Sequence, residues 1–329
     1  MNVFAFRIPG SKQSVKIVSD RISLFNPDED SPGFIIYPFF GEGGILKISE
    51  GTRVSNIPSS IVRDNNCEVS EGICTEEAHR RYIEAVIKTI GHDETKKIVA
   101  ARTFSVKNMI DPDMLFNQLC TAYPDAFVFF LSTPQFGSWI GASPELLLKR
   151  DGDNWETMAL AGTRPAGTIG DWDEKNILEQ KIVSHYIKDI FQRHGLTLLK
   201  EESDTKQAGQ VEHIHTLIKA ISEPKDGLTK LLTDLSPTPA LCGMPKRESM
   251  EMIRMWEGGS RSLYGGFIGW YENPKNFSLY VNLRSALISP EEVRLYAGGG
   301  ITWLSNPSKE WEETQRKLST LLRYVVPFS

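Results

Sequence analysis

The residues with the clearest chemical potential lie in a short run near the C-terminus, Glu310-Trp311-Glu312-Glu313-Thr314-Gln315-Arg316-Lys317. Ser305-Asn306-Pro307 before it reads as a helix start, a capping side chain followed by a proline whose missing N–H does no harm there. On that helix Glu310, Glu313 and Lys317 fall at i, i+3 and i+7, so two carboxylates and an ammonium share one face. Trp311, Leu318, Leu321, Leu322 and Val325 supply the apolar stripe. The triplet Gly298-Gly299-Gly300 ends ten residues upstream of Glu310 and lets bare backbone N–H groups approach an anion. Two carboxylates beside a glycine loop suit a hard divalent cation and an anionic ligand. The same spacing also describes a solvated Glu–Lys face, so other residues must decide.

Four more positions bear on that decision. Glu179 falls on the apolar face of a helical stretch, in line with Val183, Ile187 and Ile190. A carboxylate there is expensive to bury unless it is paired, hydrogen-bonded or metal-bound; the alternative is a place at the stripe's margin. Lys97 opens the apolar run Lys97-Ile98-Val99-Ala100-Ala101-Arg102. Burial beside other cations would lower its pKa and make it a general base, whereas a strand-end lysine in solvent would do nothing. Glu145 follows Ser143-Pro144 between two strand-like runs, where a carboxylate is ordinarily exposed. Arg284 sits inside the apparent strand Tyr280–Ala286 and needs an anion, for which a ligand carboxylate offers the right bidentate geometry. His213 and His215 flank one residue but have no further ligand set, which points to surface or structural roles.

The elements that must position these groups arrive as neighbouring strand pairs with helices interspersed. Helices are expected over Thr75–Ile90, Asp113–Tyr123, Trp172–Arg193, Glu212–Ala220 and Glu248–Trp256, and at the C-terminus. Strand pairs are expected at Ala126–Leu131 with Gly137–Ala142, and at Glu145–Lys149 with Trp155–Leu160. Leu263–Tyr271, Phe277–Ile288 and Val293–Ala297 read as further strands. There is no regular βαβ alternation, so an α+β fold with antiparallel sheets is expected. The 329 residues carry a net charge of −5, which leaves no basic footprint for nucleic acid or an anionic membrane. Cys67, Cys74, Cys120 and Cys242 show neither CxxC spacing nor the density of a disulfide scaffold. The start MNVFAFRIPGSKQ lacks signal-peptide features, and the longest uncharged stretch is broken by Pro134, Gly137 and Gly141. A cytoplasmic protein is expected.

From Lys97 onward, nine segments stand in an order that resembles the chorismate-utilising enzymes, and most closely the isochorismate synthases. They are KIVAAR (97–102), GASPELLLK (141–149), LAGTRPAG (160–167), KNILEQKIV (175–183), SPTPALCGMPK (236–246), YGGFIGW (264–270), NLRSA (282–286), YAGGGI (296–301) and NPSKEWEETQRKL (306–318). The resemblance implies one chorismate-binding domain over 1–329, with two packed antiparallel sheets, helices outside and the site in a cleft. Residues 96–329 would carry the catalytic core and 1–95 a shortened N-terminal part. It further implies Lys97 as general base on water and Glu145 as general acid on the departing hydroxyl. Glu179 and Glu313, with Glu310, would hold Mg²⁺. Arg284, Gly298, Gly299 and Gly300 would bind the enolpyruvyl carboxylate, Lys317 would add positive potential, and Gly162 and Thr163 would line the pocket.

The expected partner is therefore the small molecule chorismate, acted on by a monomer. Lys97, usually missing from the aminating relatives, argues for water as nucleophile and against a glutaminase subunit. Ala240, where salicylate synthases tend to carry threonine, argues for stopping at isochorismate. Salicylate synthase, an anthranilate- or aminodeoxychorismate-type component I and a non-catalytic chorismate binder remain the alternatives. Three departures from the family pattern stand near the metal set: Asn176 for aspartate, Gln180 for histidine, and Ser236 at a position often occupied by histidine. They bear on hydrogen bonding around Glu179, and so on metal affinity.

Overall fold

In the computed structural model, residues 1–29, 31–63, 71–93, 96–208, 210–259 and 261–326 are described. The chain begins with β1 (Asn2–Arg7), β2 (Val15–Ser19), β3 (Ile22–Leu24), β4 (Gly33–Tyr37), β5 (Leu46–Ser49) and β6 (Thr52–Arg53). Helices α1 (Ser60–Arg63) and α2 (Glu76–Ile90) lead to β7 (Lys97–Lys107), α3 (Pro112–Ala122), β8 (Phe127–Thr133), β9 (Gly137–Ser143), β10 (Leu146–Asp151) and β11 (Asn154–Pro165). Then come α4 (Glu174–Arg193), β12 (Thr197–Ala208), β13 (Val211–Ile221), α5 (Gly227–Leu235), β14 (Gly243–Met244) and α6 (Lys246–Glu257). The chain closes with β15 (Phe267–Asn273), β16 (Asn276–Val281), β17 (Ser285–Ile288), β18 (Glu292–Ile301) and α7 (Pro307–Val325).

These strands form two nine-stranded antiparallel sheets, ordered β14-β7-β18-β17-β9-β8-β1-β2-β6 and β12-β13-β11-β10-β16-β15-β4-β5-β3. Their facing sides share one core. Phe6 of β1 stacks on Trp270 of β15 at 5.1 Å between centroids, and Phe127 of β8 lies flat on Tyr280 of β16 at 4.3 Å. Each such ring, removed from water on both faces, contributes about 1.5–3 kcal/mol. The outer face of the first sheet buries Leu115 and Phe116 of α3 and Leu318, Leu321 and Val325 of α7 against Val128, Ile140 and Leu295. Helix α4 lies on the second sheet through Val183, Ile187 and Ile190. The α+β architecture expected from the strand pairs is the one observed. The N-terminal strands are woven into it, β1, β2 and β6 in the first sheet and β3 to β5 in the second.

Three element assignments need correction. Residues 212–220 form a strand, not a helix: β13 pairs along its length with β11 and β12. Its burial alternates, with Val211, His213 and His215 facing inward, so its period is two. Two histidines on the inner face disguised that alternation. Thr197–Ala208, charged and mostly exposed, lacks an apolar period and is a strand because β13 supplies its ladder. The expected strand Phe277–Ile288 is two strands, and Arg284 lies in the break between them with φ +52°. The strand expected from Leu263 starts at Phe267. Cys74, Cys120 and Cys242 are free thiols, and Cys67 lies outside the described residues. Among the described residues no helix is long and apolar enough to cross a membrane.

Candidate active site

Three elements converge at one end of the cleft between the sheets: the start of β7, the first two turns of α4 and the first turns of α7. Asp173 caps α4 by accepting from the Asn176 N–H at 2.8 Å. Asn306 caps α7 by accepting from the Ser308 and Lys309 N–H groups. Both helices therefore begin at fixed points, and that fixes the side chains of their first turns. Glu179 projects from α4 and is 6% exposed; Glu310 and Glu313 project from α7 at 3% and 8%. Lys97, at the first position of β7, is fully buried, so the solvated alternative is excluded.

Lysines hold these carboxylates. Lys97 Nζ pairs with Glu179 Oε1 at 2.9 Å. Lys175, one turn before Glu179, reaches Glu310 Oε1 at 2.9 Å and Glu179 Oε2 at 3.9 Å. Lys317 donates to Glu313 Oε1 at 2.7 Å and to the Gly298 carbonyl at 2.8 Å. Burial opposes ionisation of Glu313, but Lys317 and Lys175 overcome it and hold that carboxyl down at about 2. Burial pushes Glu310 upward, against the pull of Lys175. Lys97 is pushed down, chiefly by burial, with Glu179 opposing and Lys175 and Lys317 reinforcing.

The glycine triplet is the floor under this cluster. It lies within β18, laddered to Ala101, Ala100 and Val99 of β7. The β17 partner ends at Leu295, which leaves the other edge of Gly298–Gly300 without a strand. A Cβ on Gly299 would stand 2.9 Å from Glu310 Oε2, and one on Gly300 would overlap Glu179 Oε1 and sit 2.5 Å from Lys97 Cε. Only hydrogen fits beneath three converging carboxylates.

Across the cleft Glu145, at the β9–β10 corner, is 2% exposed. Burial raises its pKa to about 8, against the nearby charges of Lys97 and Lys317. Arg284 forms the far wall. Its Nη1 donates to Thr320 Oγ1 at 2.9 Å and to the Lys317 carbonyl at 3.4 Å; its Nη2 stands 3.2 Å from His213 Nε2. A guanidinium only donates, so His213 Nε2 accepts and its Nδ1–H donates to the Gly162 carbonyl at 2.9 Å. Burial, reinforced by Arg284 and Lys317, pushes His213 down to about 3 and keeps the ring neutral. Among the described residues none of the Arg284 hydrogen-bond partners is an anion. The cleft holds about 570 Å³ of empty space, its open mouth included, and its lining includes Glu145, Thr163, Glu179, His213, Arg284 and Lys317.

A chorismate-binding enzyme family model matches residues 52–326 of this chain. The chain belongs to that family. It is 30% identical over 242 residues to the isochorismate synthase EntC of Escherichia coli K12, covering 70% of this chain and 62% of the relative. It is 32% identical over 255 residues to the isochorismate synthase MenF of Bacillus subtilis, covering 73% and 54%. The chain thus spans less than two thirds of the length of these relatives. Among solved structures, the menaquinone-specific isochorismate synthase MenF of E. coli superposes with a TM-score of 0.79 at 21% identity, over 99% of this chain and 89% of that one.

Within the family frame, the sequence-expected residues lie together, with two refinements. Lys97 does not line the cleft; it stands behind Glu179 and Gly300. Gly162 contributes its carbonyl, and with φ +68° it packs against Asn176. His213 and Lys175 were not among the expected site residues. The inward register of β13 would have revealed the first, and the four-residue spacing to Glu179 the second. The family departures are accommodated locally. Asn176 Oδ1 accepts from the Thr163 N–H at 2.7 Å and its Nδ2 donates to Asp173. Gln180 bridges Ala161, Ala159 and Thr216. The Ser236 carbonyl accepts from Lys246 Nζ at 2.6 Å.

Among the described residues no three carboxylate, histidine or cysteine side chains are grouped closely enough to hold a metal as they stand. Lysine ammoniums separate them. The donor chemistry nonetheless fits Mg²⁺: three carboxylates stand over one glycine floor, and among the described residues Glu310 Oε2 is buried with no hydrogen-bond partner.

Proposed function

We propose that this protein converts chorismate to isochorismate, with Mg²⁺ as cofactor, Lys97 as general base on water and Glu145 as general acid on the departing hydroxyl. One observation carries the proposal: Glu145, a buried carboxyl on the cleft wall, is pushed up to about 8, while Lys97, a buried lysine directly behind the cleft residue Glu179, is pushed down. At pH 7 a carboxyl with that pKa is protonated about ten to one, so Glu145 arrives at the reaction with its proton. The depressed Lys97 is easier to deprotonate and can take a proton from water. Two groups pushed in opposite directions are what acid and base roles need at one pH.

The walls suit a dicarboxylate. The Arg284 fork, without an anionic partner and backed by His213 and Thr320, would receive the enolpyruvyl carboxylate beside Gly298–Gly300. Lys317, already bound to the Gly298 carbonyl, adds charge there. Glu179, Glu310 and Glu313 would hold Mg²⁺, which supplies positive charge against the ring carboxylate. Thr163 and the Gly162 carbonyl hold the His213 tautomer that accepts from Arg284. Water as nucleophile removes the need for a glutaminase subunit, and a cytoplasmic monomer is the working form of this reading. The share of relatives named isochorismate synthase supports it.

Incubation with chorismate and Mg²⁺, with and without ammonium, tests the proposal by NMR of the products. Isochorismate formed without ammonium and lost with EDTA is expected. An aminated product, salicylate, or saturable binding without turnover would overturn it.

A further inference from the structure

A second cavity, about 900 Å³ on the same measure, lies beside the cleft and shares Pro144 and Arg284 with it. Its walls come from the Ala122–Ala126 turn, from Thr320 on α7 and from Lys206–Ala208 near the tip of the β12–β13 hairpin. Register decides where Lys206 faces. Lys206 stands opposite His213 in the ladder, and cross-strand partners project from the same face. His213 lines the cleft next to Arg284, so Lys206 is on the cleft side.

The charges around this cavity are unequal. Lys206 is half-buried and makes no ion pair among the described residues. Arg284 is buried, and its partners are a hydroxyl, a carbonyl and a neutral imidazole. Of the nearby carboxylates, Asp204 is taken up by His215 Nδ1 at 2.7 Å, and Asp125 sits exposed on the opposite wall. Among the described residues, two cations without ion-pair partners therefore mark one route into a protein whose net charge is −5.

We infer that the outer cavity is the entrance through which a dicarboxylate substrate reaches the cleft, and that Lys206 is its capture residue. Its ammonium holds one carboxylate beside Arg284 before the ring passes Pro144. The inference rests on the chorismate reading proposed above and adds the path and a residue that takes no part in the chemistry.

The test is steady-state kinetics on chorismate at low and high ionic strength. Wild type is compared with Lys206→Gln, Lys206→Glu and Lys12→Glu, the last a charge-matched control on an exposed loop that lines neither cavity. At low salt kcat/KM is expected to fall about three-fold in Lys206→Gln and about ten-fold in Lys206→Glu, with kcat unchanged and both losses shrinking at high salt. Lys12→Glu is expected to match wild type. Three results overturn the inference: wild-type kcat/KM in Lys206→Glu at low salt, an equal loss in Lys12→Glu, or a loss confined to kcat. A wild type that turns over no chorismate removes the functional reading and the inference with it. Turnover that ignores Lys206 removes the entrance alone.

Discussion

Glu145→Gln isolates the energetic consequence of placing an acid in this cleft. The carboxyl is 2% exposed and its pKa is raised from 4.5 to about 8, with burial as the leading cause. In the unfolded chain it ionises near 4.5; in the folded protein it stays protonated until about pH 8. Between those values the folded state binds the extra proton, so stability falls as pH rises. At about 1.4 kcal/mol per unit, a gap of roughly 3.5 units costs about 5 kcal/mol by pH 8 and beyond. Glutamine keeps the shape and cannot ionise. Urea denaturation of both proteins from pH 4 to 9 is therefore expected to give curves that agree at pH 4, then separate, with Glu145→Gln more stable by several kcal/mol at pH 8. If Glu145 is the acid proposed above, the same substitution is expected to abolish turnover, because the proton for the leaving hydroxyl is gone. Parallel stability curves from pH 4 to 9 would show that Glu145 ionises normally, and the acid assignment would fall.

Other substitutions probe the remaining groups. Lys97→Ala is expected to lower kcat by about 10²–10⁴-fold while circular dichroism stays unchanged, and near-normal turnover would refute the base assignment. Lys175→Met leaves Glu310 without its 2.9 Å partner, a loss of about 3 kcal/mol for the metal-free protein by chemical denaturation. Added Mg²⁺ is expected to close most of that gap; an equal deficit with and without the metal would contradict the proposed ligand set. Arg284→Lys removes the fork held by Thr320 and His213, and KM for chorismate is expected to rise about ten-fold or more. An unchanged KM would place the carboxylate elsewhere.

Much of the site was legible because its residues obey local spacing rules. Glu310, Glu313 and Lys317 share a face by helical period, and the Asn306-Pro307 start is a local capping signal that the structure bears out. Glu179 is buried in line with Val183, Ile187 and Ile190, as its place on the apolar stripe suggested. Residues whose environment is built by distant segments were harder to read. Glu145 looked exposed because a Ser-Pro-Glu corner normally is; it is buried at the junction of the two sheets, where the Val281 N–H donates to its carbonyl at 3.0 Å. Arg284 looked like a strand residue because its neighbours are apolar, but its positive φ breaks the strand and turns the guanidinium to the cleft. His213 was hidden in β13, whose inward-facing histidines weakened the apolar alternation and made the segment resemble a helix. The antiparallel architecture was readable from paired strand runs, whereas the β12 edge exists only through its ladder to β13.

The central claim is that water, activated by Lys97, replaces a hydroxyl expelled with a proton from Glu145. Turnover of unlabelled chorismate in H₂¹⁸O, followed by mass spectrometry of isochorismate, tests it most directly. The mechanism predicts one ¹⁸O in the new ring hydroxyl of each product molecule formed in the initial-rate phase, before the reverse reaction carries solvent oxygen into chorismate. Product that retains only ¹⁶O would show that the hydroxyl migrates without water, and the assigned roles of Lys97 and Glu145 would be wrong.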